Sequence, residues 1–307
     1  MKLPVLGMAI MFLAGPAVAV ADDLEDAVQS LKDAVAKKDV DAVKKLAATI
    51  RPMTAEILAV AAPAAAADSD ERKDWESRNA YAKSSQLYVE SAFYTVALGA
   101  EPAVTVDLIA TLEQQNPKSK YLNQAYGPYL VALDKTGYKA KIPAIAKKAL
   151  ANFPENEDLL LYLTDTEMTN KRTDAALAYA NRLTATLSKR GKPEGMAAAD
   201  WERKRNAALA HGYYIAGVLS AEKSLYVPAD KNLRAALPLI QGQPAMQGPA
   251  LFYLGMANYQ LGKMTNSKAK VLEGAKFCEQ SMAIPGPYQN DARHDSLVMK
   301  DEAARMR

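Results

Sequence analysis

The side chains best able to do covalent or metal chemistry are few and far apart in this sequence. Cys278 is the only cysteine, and His211 and His294 are the only histidines. A zinc site draws on three or four such ligands held close together, so no metal or haem site is expected, and no cofactor of any kind. A single cysteine cannot form an intramolecular disulfide, and Cys278 reads as a small buried hydrophobe. Carboxylates cluster at Asp22-Asp23 and at Glu155, Glu157 and Asp158. Paired acids suit general acid–base work, but beside helix starts they act as caps and as complements to the helix dipole. Asp165 and Glu167 accompany the apolar Leu161 and Leu163, and are expected on an exposed helix face. None of the short motifs of metalloproteases, serine hydrolases, nucleotide-binding loops or dithiol redox centres occurs. The expectation is a protein that binds rather than one that catalyses.

The elements that position these residues are helices. Alternating β-branched runs and Asn-Gly or Asp-Gly hairpin turns are missing, while apolar residues recur at three- and four-residue spacing between Pro, Gly and Asp. Leu24, Ala27, Val28, Leu31, Ala34 and Val35 form one such stripe. Asp39 is placed to cap a second helix carrying Val43, Leu46, Ala47 and Ile50, which Pro52 is expected to end. Charges of both signs are interspersed, and the formal net charge is only +3 over 307 residues. No nucleic-acid footprint is visible in that pattern.

A period emerges further along. Residues 123–156 and 157–190 superpose at a spacing of 34. The first carries Tyr126, Tyr129, Leu130 and Leu133, a turn at Gly137, then Ile142, Ala146 and Ala149. The second carries Leu160, Leu163 and Thr164, then Ala176, Ala180 and Leu183, with Glu167 in an ordinarily apolar place. Residues 210–243 bring Tyr213, Ala216 and Gly217, then Ala229, Leu233 and Ala236. Residues 248–281 contain the run LFYLGMANYQLGK, with Leu251, Leu254, Gly255 and an expected turn at Gly262, then Ser267, Val271 and Gly274. A degenerate unit at 86–119 carries Val89, Ala92, Val96, Thr105, Ile109 and Leu112. One amphipathic helix pair cannot hide its apolar stripe alone, whereas stacked pairs bury a continuous core. Gly in mid-helix costs roughly 1 kcal/mol against Ala, so Gly217 and Gly255 are expected where a partner helix approaches closely.

The pattern over about 86–281 resembles the tetratricopeptide repeat: a large apolar residue, Leu-Gly, an aromatic, a Leu-Gly-Lys turn, then small residues at spacings of four and three. The resemblance implies an all-α fold, a right-handed superhelical α-solenoid of helix-turn-helix pairs, whose first helices line a concave face that receives a protein or peptide. In that register the face carries Tyr94, Val131, Asp134, Leu161, Met168, His211, Tyr214, Val218, Phe252, Met256 and Tyr259. Tyr214 and Tyr259 fit either the groove or the core. Members of the family that clamp a terminal carboxylate place Lys and Asn on the first groove helix; here Glu90 and Tyr94 stand there, so that mode is not expected.

The amino terminus reads as a secretory signal peptide, residues 1–21: Lys2, an apolar run from Leu3 to Ala14, the breaker Gly15-Pro16, and a small-residue site with cleavage after Ala21 or Ala19. The run is shorter than the roughly 20 residues of a spanning helix. The expected organisation continues with a helical pair and Ala/Pro-rich connector (22–67), a first block (68–188), a linker (189–195, KRGKPEG) and a second block (196–307). The polar helical segments 68–85 and 196–209 both contain Asp-Trp-Glu followed by Arg-Asn-Ala. Taken together these features suggest a periplasmic or secreted scaffold of the bacterial cell envelope, with a protein or peptide partner, no nucleic acid and no membrane anchor after cleavage. The alternative is a periplasmic module binding a small ligand, a glycan or a peptidoglycan fragment.

Overall fold

Stripes of Ala and Leu at helical spacing fold as the pattern dictates. The computed structural model describes residues 16–63, 69–193 and 195–306, and these are helical with no strand among them. The apolar run expected as part of a leader lies outside the described residues. By contact the chain divides into two compact units, residues 1–140 and 141–307, and the segment 189–195 lies inside the second. No helix of the described residues is long and apolar enough to cross a membrane.

The first unit holds α1 (Pro16–Lys37), α2 (Val40–Ala59), α3 (Ser69–Ala97), α4 (Pro102–Gln115) and α5 (Lys120–Lys135). Each packs on the next in the chain, and α3 also touches α1 and α5. Leu24, Val28, Leu31 and Ala34 of α1 are buried with Val43, Ala47 and Ile50 of α2. Asp39 caps α2 as expected, its side chain accepting from the Ala42 amide at 3.0 Å. Pro52 does not end that helix. It lies within α2, because Thr54 and Ile57 extend the buried stripe beyond it, and that burial offsets the backbone hydrogen bond a proline removes.

The second unit holds α6 (Ile142–Asn152), α7 (Glu157–Thr169), α8 (Thr173–Lys189), α9 (Ala198–Glu222), α10 (Tyr226–Ala236), α11 (Pro244–Met264), α12 (Lys268–Met282) and α13 (Gln289–Arg305). Neighbours in sequence pack together from α6 to α13, and α9 also touches α7 and α11, as α11 touches α13. The repeated apolar positions Leu160, Leu163, Ala176, Ala180, Leu183, Ala216, Ala229, Leu233 and Ala236 are all fully buried.

The close approaches expected at glycine are present. A Cβ on Gly217 would meet Leu233 Cγ at 2.5 Å; one on Gly255 would meet Cys278 Sγ at 2.5 Å and the Gly274 carbonyl at 2.9 Å. Gly262 is not a turn. It sits inside α11, where a Cβ would meet the Val271 amide nitrogen at 2.8 Å, and the turn falls later, at Asn266.

Six of the helix ends share one backbone feature. After α1, α3, α5, α7, α9 and α11 stands a residue with positive φ: Lys38, Gly99, Gly137, Lys171, Ser224 and Asn266. In five of the six, the next amide reaches back five residues to a helical carbonyl, as Arg172 does to Glu167 and Leu225 to Ser220, both at 2.8 Å. This is the Schellman closure, which satisfies carbonyls orphaned at a helix end.

Candidate functional site

Residues four apart on a helix share a face. On α9 that spacing aligns Tyr214, Val218 and Glu222; on α11 it aligns Phe252 with Met256. Beside them stand Tyr253 of α11 and Tyr288, the residue preceding α13. Phe252 stacks on Tyr288 with ring centres 4.7 Å apart, and Tyr253 meets both rings edge-on at 5.5 and 5.4 Å. The Tyr253 hydroxyl donates to Glu222 at 3.0 Å. Its single proton is thereby used, so the 3.0 Å contact with Tyr288 has the Tyr288 hydroxyl donating to Tyr253. Burial pushes the Tyr253 phenol up, and the bonds from Tyr288 and to Glu222 push it further. Tyr214 moves the same way, by burial and then by Tyr288 and Glu222. These phenols stay protonated near neutrality, and those of Tyr253 and Tyr288 act as donors. All four aromatics are half-buried and Glu222 is exposed. The result is a broad aromatic face with an anionic edge, an arrangement suited to recognition.

Other residues of the expected face have other surroundings. Tyr259 belongs to the core between α11, α12 and α13, with Val271, Ala275, Cys278 and Met299; Lys263 lies over its ring at 5.0 Å. Met168 is half-buried against Ala176, Ala180 and Ile215, while Val218 packs on the neighbouring cluster around Leu233 and Leu254. Leu161 is half-buried. His211 Nε2 lies 2.5 Å from Asp165 Oδ1, tying α9 to α7. In the first unit, Tyr94 sits beside Tyr121 at 5.8 Å, Val131 is 55% exposed, and exposed Asp134 faces Lys139 at 3.7 Å.

No family model matches the chain, and no curated protein matches it. The site therefore rests on its own geometry. Tyr253, Tyr288 and Glu222 were not among the residues expected from sequence. Tyr253 adjoins Phe252 and falls one position off the four-residue spacing, and Tyr288 lies in the connection 283–288 between α12 and α13.

The carboxylates show where the sequence reading errs. Glu167 is not on an exposed face: it is 1% exposed, bonded to Lys147 at 2.8 Å and to Arg172. Burial alone would push its carboxyl up, yet the hydrogen bonds and charges of Lys147 and Arg172 hold it below the ordinary glutamate range. Glu157 and Asp158 do open α7, where the helix dipole favours them, and Asn156 rather than either acid caps that helix. Both acids also bind Lys204 of α9, at 3.0 and 2.8 Å, and Glu157 pairs with Arg190. Burial raises the Asp158 carboxyl against the pull of Lys204. Cys278 is fully buried, its thiol pushed up by burial to about 12. Among the described residues no group of three His, Cys, Asp or Glu side chains is placed to hold a metal ion.

Proposed function

We propose that this chain is a non-catalytic scaffold of the bacterial cell envelope, built as a right-handed superhelical stack of tetratricopeptide-like helix pairs, that recruits a protein or peptide through one aromatic face. The observation that carries the reading is the set Tyr214, Phe252, Tyr253 and Tyr288 with Glu222: large, half-buried rings, of which the Tyr253 and Tyr288 phenols are already oriented by hydrogen bonds. Pre-oriented aromatics lose little conformational entropy on binding and dominate interface energetics. The anionic edge favours a partner segment carrying Lys or Arg beside an apolar anchor. The leader-like residues 1–21 support export, and a processed chain starting at Asp22 keeps the buried stripe that begins at Leu24.

The test uses the processed chain immobilised against envelope extract, beside a Tyr214→Ala/Phe252→Ala double variant of matching circular dichroism. A specific partner held by the parent and lost by the double variant is the expected result. Capture that is indifferent to both substitutions would remove the aromatic face from the proposal. A saturable rise in melting temperature with a glycan or other small molecule, with no protein captured, would favour a small-ligand module instead. Amino-terminal sequencing of the exported protein is expected to begin at Asp22, or at Val20 for the alternative cleavage.

A further inference from the structure

A small recess lies in the first unit, where α3 packs against α2 and α4. Gln86, Val89 and Glu90 fall at helical spacing on α3 and so share one face. With Arg51 of α2 and Gln115 and Asn116 at the end of α4, they line a pocket of about 210 Å³. That is below the roughly 300–1,000 Å³ of sites that take drug-sized molecules, so its occupant is small.

The pocket carries one charge of each sign, and the two are not joined. Glu90 Oε1 accepts from Asn116 Nδ2 and Glu90 Oε2 from Ser119 Oγ, both at 2.7 Å. These neutral donors fill two of about four acceptor sites on a carboxylate. Among the described residues no cation pairs with Glu90, and no carboxylate pairs with Arg51. The amides are set by their neighbours. Thr54 Oγ1 donates to the Arg51 carbonyl at 2.9 Å, so in its 3.1 Å contact with Gln86 the Gln86 amide donates. The Gln86 carbonyl oxygen is then left to accept. Gln115 makes no side-chain hydrogen bond to a described residue and stays open to solvent.

We infer that this pocket binds a free α-amino acid as its zwitterion, separately from the aromatic face. The ammonium group supplies Glu90 with the cation it lacks. The carboxylate takes the Arg51 guanidinium, whose paired N–H donors match its two oxygens. A free amino acid carries both charges on one carbon, so a small pocket can hold them together, whereas either end of a protein chain offers only one. A lone anion would be repelled by Glu90 and a lone cation by Arg51. Val89 gives an apolar contact, and Gln86 and Gln115 offer amide groups to a short or polar side chain.

The experiment titrates the processed chain with L-alanine and L-glutamine, and with the N-acetyl and carboxamide derivatives of each, by calorimetry and by melting temperature. At least one of the two amino acids is expected to bind, about tenfold more tightly than either of its derivatives, the size of one charge-assisted hydrogen bond. Arg51→Gln, at an exposed position, should erase the preference over the carboxamide. Glu90→Gln should erase the preference over the N-acetyl form. If Arg51 instead closes on Glu90 as a structural pair, Arg51→Gln lowers the melting temperature of the free chain and the parent binds neither amino acid, which overturns the inference. So does a derivative that binds as tightly as its free amino acid, or a preference that survives both substitutions.

Discussion

Two joints in the second unit bring helices together by opposite means. At the α6–α7–α8 joint a carboxylate, Glu167, occupies a core position and two cations from outside, Lys147 and Arg172, reach in to it. At the α11–α12 joint side chains are simply absent. Gly255, Gly262 and Gly274 let the two backbones meet, and a Cβ at Gly274 would fall 2.7 Å from the Gly255 carbonyl. The first joint depends on charge, and therefore on pH and on the presence of both partners. The second depends on volume alone. The same stacking problem has an electrostatic answer and a steric one within a single chain, and they should fail differently.

The largest effect is expected from Lys147→Ala/Arg172→Ala, which strands the Glu167 charge in the core at a cost of roughly 3–5 kcal/mol. The pH dependence should then invert. In the parent, the Glu167 carboxyl lies below its ordinary value, so its contribution is full above about pH 4.3 and is lost as pH falls through the lowered folded value. In the double variant the stranded carboxyl is raised, so stability should grow on acidification from pH 7 to 5. Urea melts at the two pH values would show it, and a double variant that weakens with acid as the parent does would remove the electrostatic account of this joint.

Next comes Gly255→Leu, expected to cost about 1–3 kcal/mol by overpacking against Cys278 and Gly274. The loss should be the same at pH 5 and pH 7, since no charge is involved. An unchanged melting temperature would contradict the close helix contact. The smallest effect is expected for Glu167→Gln, about 1 kcal/mol, because the lysine and arginine left behind are half exposed and regain water. Its melting temperature should lose the acid sensitivity that Glu167 confers. A loss as large as that of the double variant would mean that the volume at this position, not its charge, holds the joint.

Much of the fold was legible because burial and periodicity are the same fact seen twice. Leu160, Leu163, Ala176, Ala180 and Leu183 recur at helical spacing and are all fully buried. What misled were residues whose role is set by distant partners. Pro52 looks like a helix end until the stripe beyond it is followed to Ile57. Glu167 looks solvent-facing until Lys147, twenty positions earlier, is found beside it. The aromatic face was half legible: the four-residue spacing found Tyr214, Val218, Phe252 and Met256, but the ring of Tyr288 arrives through a connection that no periodicity marks. Tyr259 fits the same spacing, and only the packing of α12 and α13 assigns it to the interior.

The left-handed residue after each first helix has a further consequence. Lysine, glycine, serine and asparagine all fill that position here, and in five of the six turns the reversal is secured by main-chain amides and carbonyls rather than by any one side chain. These reversals are thus written in a script that hardly depends on the letters used. Such a turn can change its residue and keep its closure, which is why helix ends that share little sequence reverse through the same backbone conformation.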